Sequence, residues 1–192
     1  MKRDRLWLIG LTFLTAIILM ISSNFSSAKS SKITIQTTQL VAEKEVQNSG
    51  SLALYQDPAQ RFKIAILEGY KATSLGNNNF IIESPDGNLA YTVVVRPRAT
   101  NNRLTDASLA QVAIDTFSSG EGFIAGQFQK EANNNVRIPW TGSLSLGRAN
   151  QPMSGIIVTR QVDNKLLSLL VAATEAGADN VESVVNTLSD SF

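Results

Sequence analysis

The sequence predicts an α+β domain: an antiparallel β-sheet flanked by helices. Three observations predict it. Short β-prone runs are joined by turn residues, as in Pro85-Asp86-Gly87-Asn88 and Asp163-Asn164. Two segments carry apolar residues at helical spacing, one near the middle and one at the end. The order is strand, hairpin, helix, meandering strands, helix, without the regular strand–helix alternation that builds a parallel sheet.

Composition narrows the function. The 192 residues are 43% hydrophobic and 17% charged, which is a globular balance. Cysteine and histidine are both absent. Disulfides, thiolate metal sites, His-ligated zinc, a Cys nucleophile and the Ser-His-Asp triad are therefore excluded.

Residues 1–28 read as an export segment. Lys2, Arg3 and Arg5 lead, residues 6–28 carry no charge, and residues 6–21 are almost wholly apolar. Ser26 and Ala28 stand at the −3 and −1 positions of a cleavage site after Ala28. An apolar run of this length fits a cleaved signal peptide or an uncleaved anchor, and both place the remainder outside the cytoplasm. Residues 29–52, rich in Ser, Thr, Gln and Lys, read as a polar linker with one β-prone piece at 33–35. The domain then covers 53–192. Setting aside Asp4 and the three leading cations leaves 14 basic against 15 acidic residues, a balance that offers no footprint for nucleic acid.

Within the domain, Phe62, Ile64 and Ile66 alternate as a strand with one apolar face. Runs 80–83 and 89–95 flank the Pro85–Asn88 turn and form a hairpin, which Arg96-Pro97 ends because proline cannot donate to a ladder. Thr105 or Asp106 caps a helix bearing Leu109, Val112, Ala113 and Phe117, with Gly120 as its stop. Segments 123–130 and 143–146 are weaker strands, and Trp140, after Pro139, falls in a short loop between them. The Asn clusters at 77–79 and 133–135 read as loop tips. Runs 153–162 and 165–173 flank Asp163-Asn164, a pair suited to a type I′ hairpin. The second of these runs is apolar on both faces through Leu166, Leu167, Leu169, Leu170 and Val171, so it is expected to be covered on both. Val181, Val184, Val185 and Leu188 form the stripe of the last helix, with Asp179 and Glu182 spaced as a capping box.

Tyr55, Asp57, Phe62, Ile64, Leu67, Gly69 and Tyr70 resemble the opening pattern of the PsbP-like family, extrinsic lumenal proteins of photosystem II and their relatives. Leu67 stands where that family usually has Pro, and Tyr70 where it has Trp. The element order and the Ser191-Phe192 ending are also similar. The resemblance implies an α-β-α sandwich over 54–192 and a non-enzymatic role in photosystem assembly or stabilisation, in a thylakoid lumen or periplasm. Some members bind cations partly through histidine. With no histidine here, no metal site is carried over, and no cofactor is expected.

Arg96, Arg98 and Arg103 form the candidate contact surface, a cationic stretch that would meet an acidic partner or anionic headgroups, although charges after an edge strand also simply discourage aggregation. Trp140 joins them as a candidate partner contact, since tryptophan is enriched at interfaces, against the plainer reading that it closes a core edge. Gly120, Gly122 and Gly126 follow a helix rather than open one, the reverse of a phosphate-binding loop. Glu83 and Asp86 could offer oxygen to calcium, but turn chemistry explains Asp86 better. No spacing pairs a Ser with Lys63, Lys71, Lys130 or Lys165, so no catalytic residue is assigned. The alternative is a periplasmic small-molecule or lipid-binding module.

Overall fold

The computed structural model describes residues 52–76, 79–131, 134–146, 149–189 and 191–192. The export segment and all of the linker but Leu52 lie outside them. Strands β1 (Ala53–Gln56) and β2 (Lys63–Ile66) form a small antiparallel hairpin. The main sheet contains β3 (Lys71–Gly76), β4 (Asn79–Glu83), β5 (Leu89–Pro97), β6 (Ile124–Ala125), β7 (Gln129–Lys130), β8 (Val136–Leu146), β9 (Ala149–Val162) and β10 (Lys165–Thr174). Its order is β3-β4-β5-β10-β9-β8-β6, with β7 also on β8, and the pairings are antiparallel. Helix α1 (Asp106–Phe117) covers one face. The β1–β2 hairpin and helix α2 (Val181–Ser189) cover the other.

Strand β10 lies at the centre because its sequence demands cover on both sides. Leu167, Leu169, Val171 and Ala173 join the core under α2, while Leu166, Leu170 and Ala172 join the core under α1. Helix α1 starts at Thr105, whose side chain accepts from the Ser108 N–H at 3.2 Å, and Leu109, Ala113 and Phe117 are buried beneath it.

The residues of the opening pattern are packing and anchoring groups. The Tyr55 ring stacks on Phe80 at 4.1 Å, and Phe62 lies 5.6 Å from the same ring. Asp57 is fully buried and takes a fork from Arg61, Nε at 2.7 Å and Nη2 at 2.6 Å, which closes the β1–β2 turn. Gly69 has φ of 77°. The Tyr91 hydroxyl donates to the Ala65 carbonyl at 2.8 Å and accepts from the Leu67 N–H at 3.2 Å. A proline at position 67 has no N–H to give, so the departure from the family pattern is matched by a hydrogen bond that only a non-proline residue can make.

Several expectations are corrected. Trp140 is not in a loop: it lies in the 11-residue β8 and is 2% exposed. Pro139 reads as a strand breaker, but its carbonyl accepts from the Gly126 N–H at 2.7 Å, so its backbone edge faces away from β9. The missing N–H therefore removes no β8–β9 bond. The run 123–130 shrinks to β6 and β7, two residues each, and β1 and β3 are strands not foreseen. At Asp163-Asn164 positive φ falls on Asp163 alone (52°), the pattern of a type II′ rather than a type I′ turn. Asp179 lies inside a 3₁₀ turn, Glu175–Asn180, that runs straight into α2, and the Glu182 carboxylate pairs with Arg137 rather than closing a capping box.

Candidate functional site

The arginine stretch leaves the end of β5 at the same end of the sheet as the β9–β10 turn. Arg96, half-buried, is opposite Leu166 on β10. The Arg98 N–H donates to the Asn164 carbonyl at 2.8 Å, which fastens the loop at residues 98–104 to the β9–β10 turn. Its guanidinium folds back, Nη1 donating to the Asn102 carbonyl at 2.6 Å. Arg103 is exposed and lines a cleft of about 280 Å³ with Asn101, Leu104, Asp106, Asn134 and Asp163. The three arginines thus share one end of the domain but not one role: Arg98 shapes the loop, and Arg103 faces solvent.

Gln161 holds this end together. Its Nε2 donates to the carbonyls of Asn101, Asn102 and Asp163 at 3.0–3.1 Å, and its Oε1 accepts from the Leu104 N–H at 3.0 Å. Three of these bonds fix a loop that contributes no strand or helix of its own, and the fourth ties it to the β9–β10 turn. At the cleft wall Lys130 pairs with Asp106 at 3.0 Å, leaving Arg103 and Asp163 as the charged groups without such a partner among the described residues. Amides, one guanidinium and carboxylates at a shallow opening can recognise a polar surface. They do not assemble a nucleophile with a base.

Trp140 is remote from this end. Its indole N–H donates to the Val171 carbonyl at 3.3 Å, and Phe123 stacks on it at 5.7 Å. Its burial removes it from the contact surface, because a side chain 2% exposed has nothing left to offer a partner. Asp86 is consumed by its turn, accepting from Ser84 Oγ at 2.5 Å and the Asn88 N–H at 3.0 Å. Glu83 is half-buried with an unpartnered Oε1, and burial pushes its pKa up against the pull of Lys71. Gly122 has φ of 61° and Gly126 lies against Pro139, both serving the turn after α1.

Gln161, Asn134 and Asp163 were missed as members of this end. The only prior signal was the Asp163-Asn164 turn and the Asn cluster at 133–135. Gln161 carries no pattern, because its partners lie 57 to 60 residues away.

No protein-family model matches the chain, and no curated protein does. Among solved structures, the chain is similar to the cyanobacterial PsbP (CyanoP) of Synechocystis sp. PCC 6803, at 14% identity and a TM-score of 0.51 over 79% of this chain and 96% of that one. LpqN of Mycobacterium tuberculosis, involved in cell envelope biogenesis, follows at 12% identity and a TM-score of 0.46, over 66% of this chain and 79% of that one. The fold is therefore the PsbP-like α+β sandwich that the opening pattern implied. At such identity the likeness is one of fold, and fold does not carry function.

Proposed function

We propose that the chain is a non-enzymatic, extracytoplasmic accessory domain that binds a protein of a membrane complex through the end bearing Arg96, Arg98 and Arg103. The observation that carries this reading is the fixed 98–104 loop: Gln161 and Arg98 hold it in one shape, and it presents Arg103 beside a polar cleft. A preorganised loop with an exposed guanidinium suits recognition of a partner, since little ordering remains to be done on binding. The likeness to CyanoP supports photosystem subunits or assembly factors as the partner, in a thylakoid lumen or periplasm, with residues 1–28 serving as signal or anchor. Among the described residues no helix is long and apolar enough to cross a membrane.

The test is a tagged pull-down from gently solubilised host membranes, read by mass spectrometry. Enrichment of photosystem subunits, lost with Arg103→Glu, supports the proposal. A chain found wholly in the soluble fraction with no membrane protein enriched refutes it. The cleft supports a ligand-binding module less well, because it is open, polar and lined by few apolar groups.

A further inference from the structure

The near-neutral composition conceals a segregation of charge that only the topology reveals. The strands that end beside the β9–β10 turn bring Arg96, Arg98, Arg103, Arg160 and Lys165 to one end of the sheet. Arg160 lies opposite Leu167, two positions in from the turn, and Lys165 opposite Val162. Among the described residues none of these five has a carboxylate partner, whereas Arg61, Lys130 and Arg137 each do. The carboxylates at this end are Asp163, the Lys130-paired Asp106 and the Arg137-paired Glu131, which lies level with Arg160, so Asp163 is the one without a cation among them.

The other end is the reverse. The β4–β5 turn brings Glu83 and Asp86 there, and the Thr174 N–H bonds to the Asn88 carbonyl, so Glu175 and Asp179 follow at the same end. Glu68 joins them through the 67–70 turn, where Gly69 lies against Pro85. The described cation among them is Lys71, opposite Glu83. The ten residues of β10 separate the two ends by roughly 30 Å, three times the screening length of about 10 Å in moderate salt, so each pole acts on its surroundings separately.

Arg160 sharpens the basic pole. Its Cζ sits 4.6 Å from the Phe192 ring centroid, its Nε is buried without an acceptor, and burial pulls its pKa down. The aromatic face holds the guanidinium in place at the pole, and because its Nε is buried a carboxylate would meet it through the Nη nitrogens.

Resting on the accessory reading above, we infer that its partner is an acidic protein face, met by the pole formed by Arg96, Arg98, Arg103, Arg160 and Lys165. Two observations favour protein over anionic lipid. Asp163 stands within the pole, where a protein can answer it with a cation and a lipid surface cannot. Val162 is the large apolar side chain exposed beside the β9–β10 turn, while Leu52, Leu54, Ile124 and Phe128 lie elsewhere, and binding at a lipid surface draws on apolar area as well as charge.

The experiment uses the full chain with two probes, poly-L-glutamate and lipid vesicles. Poly-L-glutamate should bind at about 50 mM salt and at least about tenfold more weakly at 300 mM, by screening. Arg160→Glu with Lys165→Glu should weaken binding about tenfold, and Arg103→Glu with Lys165→Glu serves if the first pair fails to fold. Glu175→Lys with Asp179→Lys should leave binding intact or stronger. Phosphatidylcholine vesicles with about one-quarter phosphatidylglycerol should retain no more protein than phosphatidylcholine alone. Binding indifferent to both basic-end pairs overturns the inference, and so does phosphatidylglycerol-dependent retention abolished by them. Poly-L-glutamate binding as expected, with no host membrane protein enriched, would instead sink the accessory reading and leave the basic pole standing.

Discussion

Gly155 is the position at which one added methyl group should do the most damage. It pairs with Trp140 on β8 and with Ala172 on β10, and the indole crosses over it to reach the Val171 carbonyl. A Cβ at Gly155 would stand 1.9 Å from that carbonyl oxygen and 2.8 Å from the indole nitrogen. Contacts under 3.0 Å are essentially never made, so β10 would have to retreat by about 1 Å and the indole give way as well. Together these movements break the 3.3 Å hydrogen bond and disturb the central ladder. Overpacking of this kind costs about 1–3 kcal/mol and the lost buried bond about 1 more, so Gly155→Ala should destabilise by about 3 kcal/mol. With a urea dependence of about 2 kcal/mol per molar, the midpoint falls by about 1.5 M. Trp140→Phe keeps a ring and loses the donor, and should cost about 1–2 kcal/mol. Urea titration followed by far-UV circular dichroism measures both. A shift for Gly155→Ala below about 0.5 M would show that the sheet yields easily there, and the account of Trp140 as a buried clamp would be wrong.

Three further outcomes follow from the same geometry. Asp57→Asn removes the carboxylate that Arg61 grips and should cost about 2 kcal/mol at pH 7, by thermal unfolding. The hydrogen bond from Arg61 holds Asp57 below the usual carboxylate range, so this stability is present above about pH 4 and lost as pH falls through the folded value, where wild type and variant should converge. Glu83 behaves oppositely. Its pKa is raised by burial, so its charged form disfavours folding as pH rises above about 4.5, and Glu83→Gln should raise Tm by roughly 3 °C at pH 7 with no gain at pH 4. Gln161→Ala frees four bonds, and hydrogen exchange at the Leu104 amide should quicken by at least about tenfold while α2 amides stay unchanged; equal protection would show the loop is held by something else.

The elements legible in the sequence were those whose apolar pattern agrees with their burial. The β4–β5 hairpin, α1, the β9–β10 pair and α2 all announce themselves this way, and the two-faced apolarity of β10 foretold its cover on both faces. Strand β8 was half hidden because Pro139 reads as a breaker unless one knows that its backbone faces Gly126. Trp140, next to that proline, was misplaced with it, and its burial depends further on the absence of a side chain at Gly155, which only pairing reveals. Strand β3 is too polar and too exposed to carry a signal. At the candidate site the arginines could be read from their spacing, but Gln161 and the acidic pole could not, since both arise from residues far apart in the chain meeting at strand ends.

The central place of β10 bears on how the molecule comes into being. Its ladder with β5 joins residues 68 to 84 positions apart. Until residues 165–174 have been synthesised, β3-β4-β5 and β8-β9 are two half-sheets with no ladder between them, each with an open edge where β10 should be. Pairings this distant make folding slow and leave the chain without a finished core until β10 is made. Under the extracytoplasmic reading proposed above, that delay would keep the chain open for passage through a membrane.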